Sequence, residues 1–294
     1  MDSWQELQLV VDKRAELGEG PSWDKINKRL LWVDIFGQKI HAFYPETGEQ
    51  REWKEEAYVT SVVPVLDQGV VVTLPHGIYR VDLADSSSTL LAEVELDRLG
   101  NRCNDAKCDP QGRLWVGTMD RTERQPTGNL YRLSKAGPLR QVVSGVTISN
   151  GLAWSPDGQV MYYIDSPTHQ VMAYDFDSVS GGIAHPRVAV TVPPQLGMPD
   201  GMTVDAQGTL WVCLWGGSRV TQWNPLDGQL LGEILIPAPN VTSCAFAGDS
   251  LDELYITTAR TGLNAETLAQ FPHTGGLFRV KTRVPGLPTQ AFVQ

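Results

Sequence analysis

Short apolar runs alternate with polar turns along this chain, and the alternation itself repeats. A few apolar residues lead into a turn that usually carries Asp and Gly, and an apolar run often containing Leu-Trp or Tyr follows. The phrase begins at Pro21 (PSWDKINKRLLWVDI), Val62 (VVPVLDQGVVVTL), Asp105 (DAKCDPQGRLWVGTM), Gly151 (GLAWSPDGQVMYYID), Gly201 (GMTVDAQGTLWVCLW) and Cys244 (CAFAGDSLDELYITT). Copies recur every 40 to 50 residues, roughly, the period of propeller blades or solenoid units. A second alternating stretch around a Gly or Asp turn follows each copy, starting near Lys39, Gly77, Gly128, Gln170, Arg219 and Gly276. Period-two alternation about such a turn reads as a hairpin. Two hairpins make one four-stranded blade. The pattern therefore predicts an all-β, six-bladed β-propeller with four antiparallel strands per blade, occupying residues 1–294 as a single domain. A β-sandwich with accidental internal similarity is the alternative, and six copies in one register oppose it.

Three further expectations concern the edges of this pattern. The apolar stretch Leu7-Gln8-Leu9-Val10-Val11 precedes the first copy. Pairing with the last blade would tie the ends and cover an exposed edge; whether it or segment 290–293 is outermost there stays open. Helix signal is confined to 264–270 (NAETLAQ), with Asn264 as N-cap and Glu266 in the first turn. Segments 120–127 and 195–199 lack periodicity and read as loops over one end of the ring, where binding residues commonly sit.

The residues just ahead of each copy carry the candidate chemistry. They are Glu19, Ser61, Asn104, Asn150, Asp200 and Ser243. Equivalent points of a closed ring face one another, so these side chains should meet near one mouth of the central channel. Two carboxylates and two amide oxygens suit a hard divalent cation, with water completing the shell. Taken singly, each has a plainer reading. Asn150-Gly151 and Asp200-Gly201 are strong hairpin-turn dipeptides, Asn104-Asp105 suits an Asx turn, and Glu19 before Gly-Pro suits a solvated turn. The shared register outweighs those readings. Trp32, Trp115 and Trp211 recur with the repeat and are expected to pack between blades.

Composition narrows the classes. The net charge is −10, which disfavours nucleic acid as a partner. No apolar run approaches the about 20 residues needed to span a bilayer, and the polar, acidic N-terminus does not resemble a signal peptide. A cytoplasmic protein with no membrane and no obligate protein partner is the expectation. Four cysteines, Cys103, Cys108, Cys213 and Cys244, form no CxxC pair and are expected to be reduced and buried. Five histidines form no metal-binding pair, and His76 and His185 are expected in turns.

With these motifs in view the chain resembles the SMP-30/gluconolactonase/luciferin-regenerating (regucalcin-like) family. The resemblance rests on LGEGPSWD at 17–24, NRCNDAKCDPQGRLWVGTM at 101–119, SNGLAWSPDG at 149–158, PDGMTVDAQGTLWV at 199–212 and TTARTGL at 257–263. It implies a six-bladed propeller with one divalent cation held by Glu19, Asn150 and Asp200, and substrate contacts from Arg102 and Asn104. It also implies hydrolysis of a sugar lactone, with Asp200 the catalytic base. Ca²⁺ is the first expectation from the all-oxygen set; Zn²⁺, Mn²⁺, Mg²⁺ and Fe²⁺ stay open. Asp120, with Arg121, is a candidate for sugar hydroxyls. The chain departs from many relatives at Cys103 and in the loop after Met119. Two other functions remain open: an organophosphatase or arylesterase on the same site, and a cation-binding protein without catalysis.

Overall fold

The computed structural model describes residues 7–67, 69–135 and 137–293. The strands form six four-stranded antiparallel sheets arranged as blades around an axis. Their inner strands are Gly18–Asp24, Ser61–Pro64, Asn101–Cys108, Ser149–Trp154, Met198–Val204 and Asn240–Ala247, for blades 1 to 6. The fold is the six-bladed β-propeller that the repeat predicts.

The inner strands are apolar enough to be buried on both sides, and the outermost ones are not. Ser149–Trp154 is buried throughout, whereas Glu49–Lys54 is exposed except at the half-exposed Trp53. The hydrophobic core accordingly lies between neighbouring blades. Trp115 of blade 3 is fully buried and meets Trp154 and Phe176 of blade 4 with centroids 6.0 and 6.1 Å away. Trp211 of blade 5 packs edge-on against Phe246 of blade 6 at 5.5 Å. Trp32 shares a cluster with Ala247 and Tyr255 of blade 6. The indole N–H groups of Trp115 and Trp211 donate to Asp109 and Asp205 at 3.0 Å, so in blades 3 and 5 the aspartate of the repeat's turn satisfies the tryptophan that follows it.

Ring closure is as expected at the N-terminus. Gln8–Val11 is the outermost strand of blade 6, antiparallel to Leu277–Lys281, with Leu9 opposite Phe278. The C-terminal segment does something else. It crosses the face where the inner strands end. Gly286 bonds to Leu251 and bridges Asp205, Phe292 bonds to Pro64, and Val293 bonds to Gly112. Blades 2, 3, 5 and 6 are thus strapped together across the far mouth of the channel, with the strap's own Phe292 buried. Among the described residues the one α-helix, Ala265–Gln270, has Asn264 as N-cap accepting from the Thr267 N–H at 2.8 Å. His76 lies in a turn, but His185 lies within strand Gly182–Thr191. It has a φ of 49°, where the pairing with the neighbouring strand slips. All four cysteines are free and buried. Among the described residues no helix is long and apolar enough to cross a membrane.

Candidate functional site

Glu19, Asn104, Asn150 and Asp200 lie near the starts of inner strands, each at a break in strand register. Pairing with the next strand shifts between Glu19 and Ser22, Cys103 and Ala106, Asn150 and Leu152, Pro199 and Met202, and Val241 and Ser243. Blade 2 has no such break in this strand pair. A bulge bends the strand and re-aims the side chain beside it. Here it turns Glu19, Asn104, Asn150 and Asp200 toward the axis instead of into the interfaces between blades.

The glycines after Asn150 and Asp200 have a packing role. Gly151 and Gly201 lie inside strands, with no left-handed φ. A Cβ on Gly201 would lie 2.2 Å from Ser243 Oγ and 2.8 Å from its Cα; one on Gly151 would lie 2.8 Å from the Asp200 carbonyl oxygen. The Asn-Gly and Asp-Gly pairs are therefore not hairpin turns. Their glycines let adjacent inner strands approach closely enough for the ring to converge.

Hydrogen bonds join the side chains of blades 3 and 4 into one polar cluster. Arg102 donates to Asn104 Oδ1 at 2.6 Å and to the Cys103 carbonyl at 3.0 Å. Asn104 Nδ2 donates to Asn150 Oδ1 and to the Ser149 carbonyl, both at 2.8 Å. Asn150 Nδ2 donates to Ser166 Oγ at 2.8 Å, which fixes the orientation of the amide and leaves its oxygen with a free lone pair. Glu19 Oε2 accepts the Gly20 N–H at 2.9 Å. Arg102, Asn104, Asn150 and Asp200 are each less than a tenth exposed.

Burial and neighbouring acids raise the proton affinity of both carboxyls. Burial, then Asp105, pushes the Glu19 carboxyl up to about 8, against the lowering effects of the Gly20 N–H and Arg102. Asp200 is raised well above the usual carboxylate range by burial, then by Glu19, Asp105 and Glu123. Buried like charges raise one another's proton affinity, and a cation between them removes the penalty. No group of three or more His, Cys, Asp or Glu side chains suited to a metal occurs among the described residues. A cation at Glu19 and Asp200 would need an amide oxygen as a third protein donor, and Asn150 Oδ1, held by Asn104 and by the Ser166 bond of its own amide, is the candidate. This all-oxygen set suits a hard divalent ion.

Asp120 is held differently from the others. It lies opposite Asn101, at the end of strand Leu114–Asp120. Its Oδ2 accepts the Thr122 hydroxyl and the N–H groups of Arg124 and Gln125, the latter two at 3.1 Å. That carboxylate closes the loop after Met119. The acid that this loop brings to the mouth is Glu123, with a left-handed φ of 61° and an N–H bonded to the Asp120 carbonyl at 2.9 Å. It is the leading charged influence on Arg102, whose basicity burial lowers, and it acts on Asp200 as well. The repeat could not reveal Glu123, because it lies outside the repeated phrase. Asp105 opens the repeated phrase of blade 3 directly after Asn104, and it lines the same channel.

Comparison with known proteins agrees with this architecture. The sequence model of the SMP-30/Gluconolactonase/LRE-like region matches residues 17–260. A Bacillus subtilis protein, YvrE, named provisionally as a sugar lactone lactonase, is 40% identical over 284 residues, covering 97% of each chain. The crystal structure of a calcium-binding protein, regucalcin, from Agrobacterium tumefaciens is 26% identical, with a TM-score of 0.94 over 99% of this chain and 98% of that one. A gluconolactonase from Xanthomonas campestris is 25% identical, with a TM-score of 0.76 over 96% and 90% of the two chains. Family match, full-length relatives and shared fold lead to one conclusion: this chain belongs to the SMP-30/gluconolactonase/LRE-like family, which includes sugar lactonases.

Proposed function

We propose that this protein hydrolyses sugar lactones to aldonic acids at the ring-centre cluster, with one divalent cation held by Glu19, Asn150 and Asp200. The observation that carries this reading is the convergence of two carboxylates, Asp200 buried and Glu19 half-buried, and an oriented amide oxygen beside a buried arginine. An ion trap needs the first three; the arginine and its Asn104 partner serve a substrate. The lactonase names of family members support the same class of substrate, and the calcium-binding relative supports Ca²⁺ as the first ion to try.

A divalent cation bound there would supply Lewis acidity to the lactone carbonyl and charge to offset the developing oxyanion. Arg102 presents a planar fork of donors to the substrate's oxygens. Asn104 sets that fork, since its Oδ1 accepts from the guanidinium while its Nδ2 is tied to Asn150. Asp200 takes the proton of the attacking water and returns it to the departing ring oxygen, so the ring C–O bond opens to a carboxylic acid and an alcohol. Glu123, at the mouth, accepts hydrogen bonds from sugar hydroxyls, and Asp120 holds the loop that presents it.

Asp200→Asn tests the assignment of the base. The amide keeps the side chain's shape but cannot take a proton, so turnover should fall by about 10²–10⁴-fold while circular dichroism and the melting temperature show a folded propeller. Near-wild-type turnover would remove Asp200 from that role. Hydrolysis of paraoxon or phenyl acetate in preference to every sugar lactone would overturn the substrate class.

A further inference from the structure

Lys107 takes no part in the chemistry above, yet it stands in the middle of the ring. It lies on the inner strand of blade 3, two residues beyond Asp105, so the two side chains share the face of that strand turned to the channel. Both line a cavity of about 340 Å³ that occupies the channel between the candidate site and the C-terminal strap. Lys107 Nζ reaches across to donate to the Met202 carbonyl of blade 5 at 2.7 Å. Met202 is two residues past Asp200 on its strand. The ammonium therefore lies across the channel beneath the site, spanning two blades that are not neighbours.

The charges around the axis give this position its meaning. Glu19, Asp105 and Asp200 act on one another as like charges, and Glu123 joins them at the mouth. Arg102 and Lys107 oppose them, with Lys107 the leading charged influence on Asp105. When all are ionised, four carboxylates face two built-in cations. Two negative charges remain, which one divalent ion neutralises. Without the lysine three would remain, and Asp105 would be left in the channel as an uncompensated carboxylate. A buried unpaired charge is costly, and it is relieved by recruiting a counter-ion.

We propose that Lys107 is a tethered counter-cation of the ring centre: it occupies the place below the Glu19–Asn150–Asp200 oxygens that a second ion would take, so the ring folds before it is loaded and accepts one divalent ion. The inference deepens the metal-centre reading above and rests on it. Lys107 is a positioning residue here. It touches neither substrate nor the reacting atoms, and it acts by fixing the charge and placement of Asp105.

The test uses full-length protein stripped with chelator and titrated calorimetrically with Ca²⁺ and with Mn²⁺. It compares wild type, Lys107→Met and the double variant Asp105→Asn/Lys107→Met. Wild type should bind one ion. Lys107→Met should lose thermal stability in the stripped state and regain it with saturating ion. It should also bind the first ion about tenfold more tightly or more, or take up a second. The double variant, with both charges gone, should fold when stripped and return to one ion at near-wild-type affinity. Equal affinity and stoichiometry in wild type and Lys107→Met would overturn the proposal. So would a double variant that fails to fold with or without ion, because Lys107 would then be needed for packing and not for charge. A wild type that binds no ion, or an Asp200→Ala variant that binds as wild type does, would instead sink the metal centre itself, and this inference with it.

Discussion

Asn104 is hydrogen-bonded at both ends of its amide, to Arg102 on one side and to Asn150 and the Ser149 carbonyl on the other. It therefore couples the group assigned to the substrate with the group assigned to the cation. The coupling depends on the guanidinium. An ammonium in its place keeps the charge but loses the planar fork. Arg102→Lys should lower kcat/KM for a sugar lactone by about 10- to 100-fold, with most of the loss in KM and with ion binding retained. Steady-state kinetics on ion-saturated enzyme checks this; unchanged kinetics would detach Arg102 from the substrate. Glu19, Asn104, Asn150 and Asp200 were legible as a set because equivalent repeat positions must face one another in a ring. Glu123 and Lys107 were not. The first owes its place to the conformation of a loop, and the second to a strand face that only the ring's curvature turns inward.

Bulges at the level of the strand explain how ordinary sequence signals came to mean something else. Asn-Gly and Asp-Gly usually make hairpin turns by visiting left-handed conformations, but Gly151 and Gly201 are extended and lie where neighbouring inner strands nearly touch. Repeat register correctly placed these residues on the inner strands; the register breaks beside them could not be read, since a bulge depends on the partner strand's pairing. Space, not flexibility, is what Gly201 supplies. Gly201→Ala should therefore destabilise the protein by about 1–3 kcal/mol and weaken ion binding, because relief of the clash with Ser243 moves the strand that holds Asp200. Urea melts together with an ion titration read both effects. A variant with wild-type stability would show that the strands can part without cost. Strand count and the short capped helix were legible for a simpler reason: alternation and capping are local properties.

The whole molecule is a ring whose stability and function share one axis. Aromatic residues seal the interfaces between blades, the N-terminal strand completes blade 6, and the C-terminal segment straps the far mouth. The first two features follow from repeat periodicity and from a stretch of apolar residues in need of a partner. The strap does not, because segment 285–293 carries no pattern that says which face it crosses. The central claim is that the axis holds a divalent cation that works with Asp200 on a sugar lactone. Its most direct test is proton release from gluconolactone, galactonolactone, xylonolactone and arabinonolactone, corrected for spontaneous hydrolysis, using chelator-stripped protein before and after single-ion add-back. The account predicts negligible turnover in the stripped protein, recovery with at least one divalent ion, and no recovery in Asp200→Ala. Full turnover by stripped protein, or no turnover of any of these lactones with any ion, would contradict it.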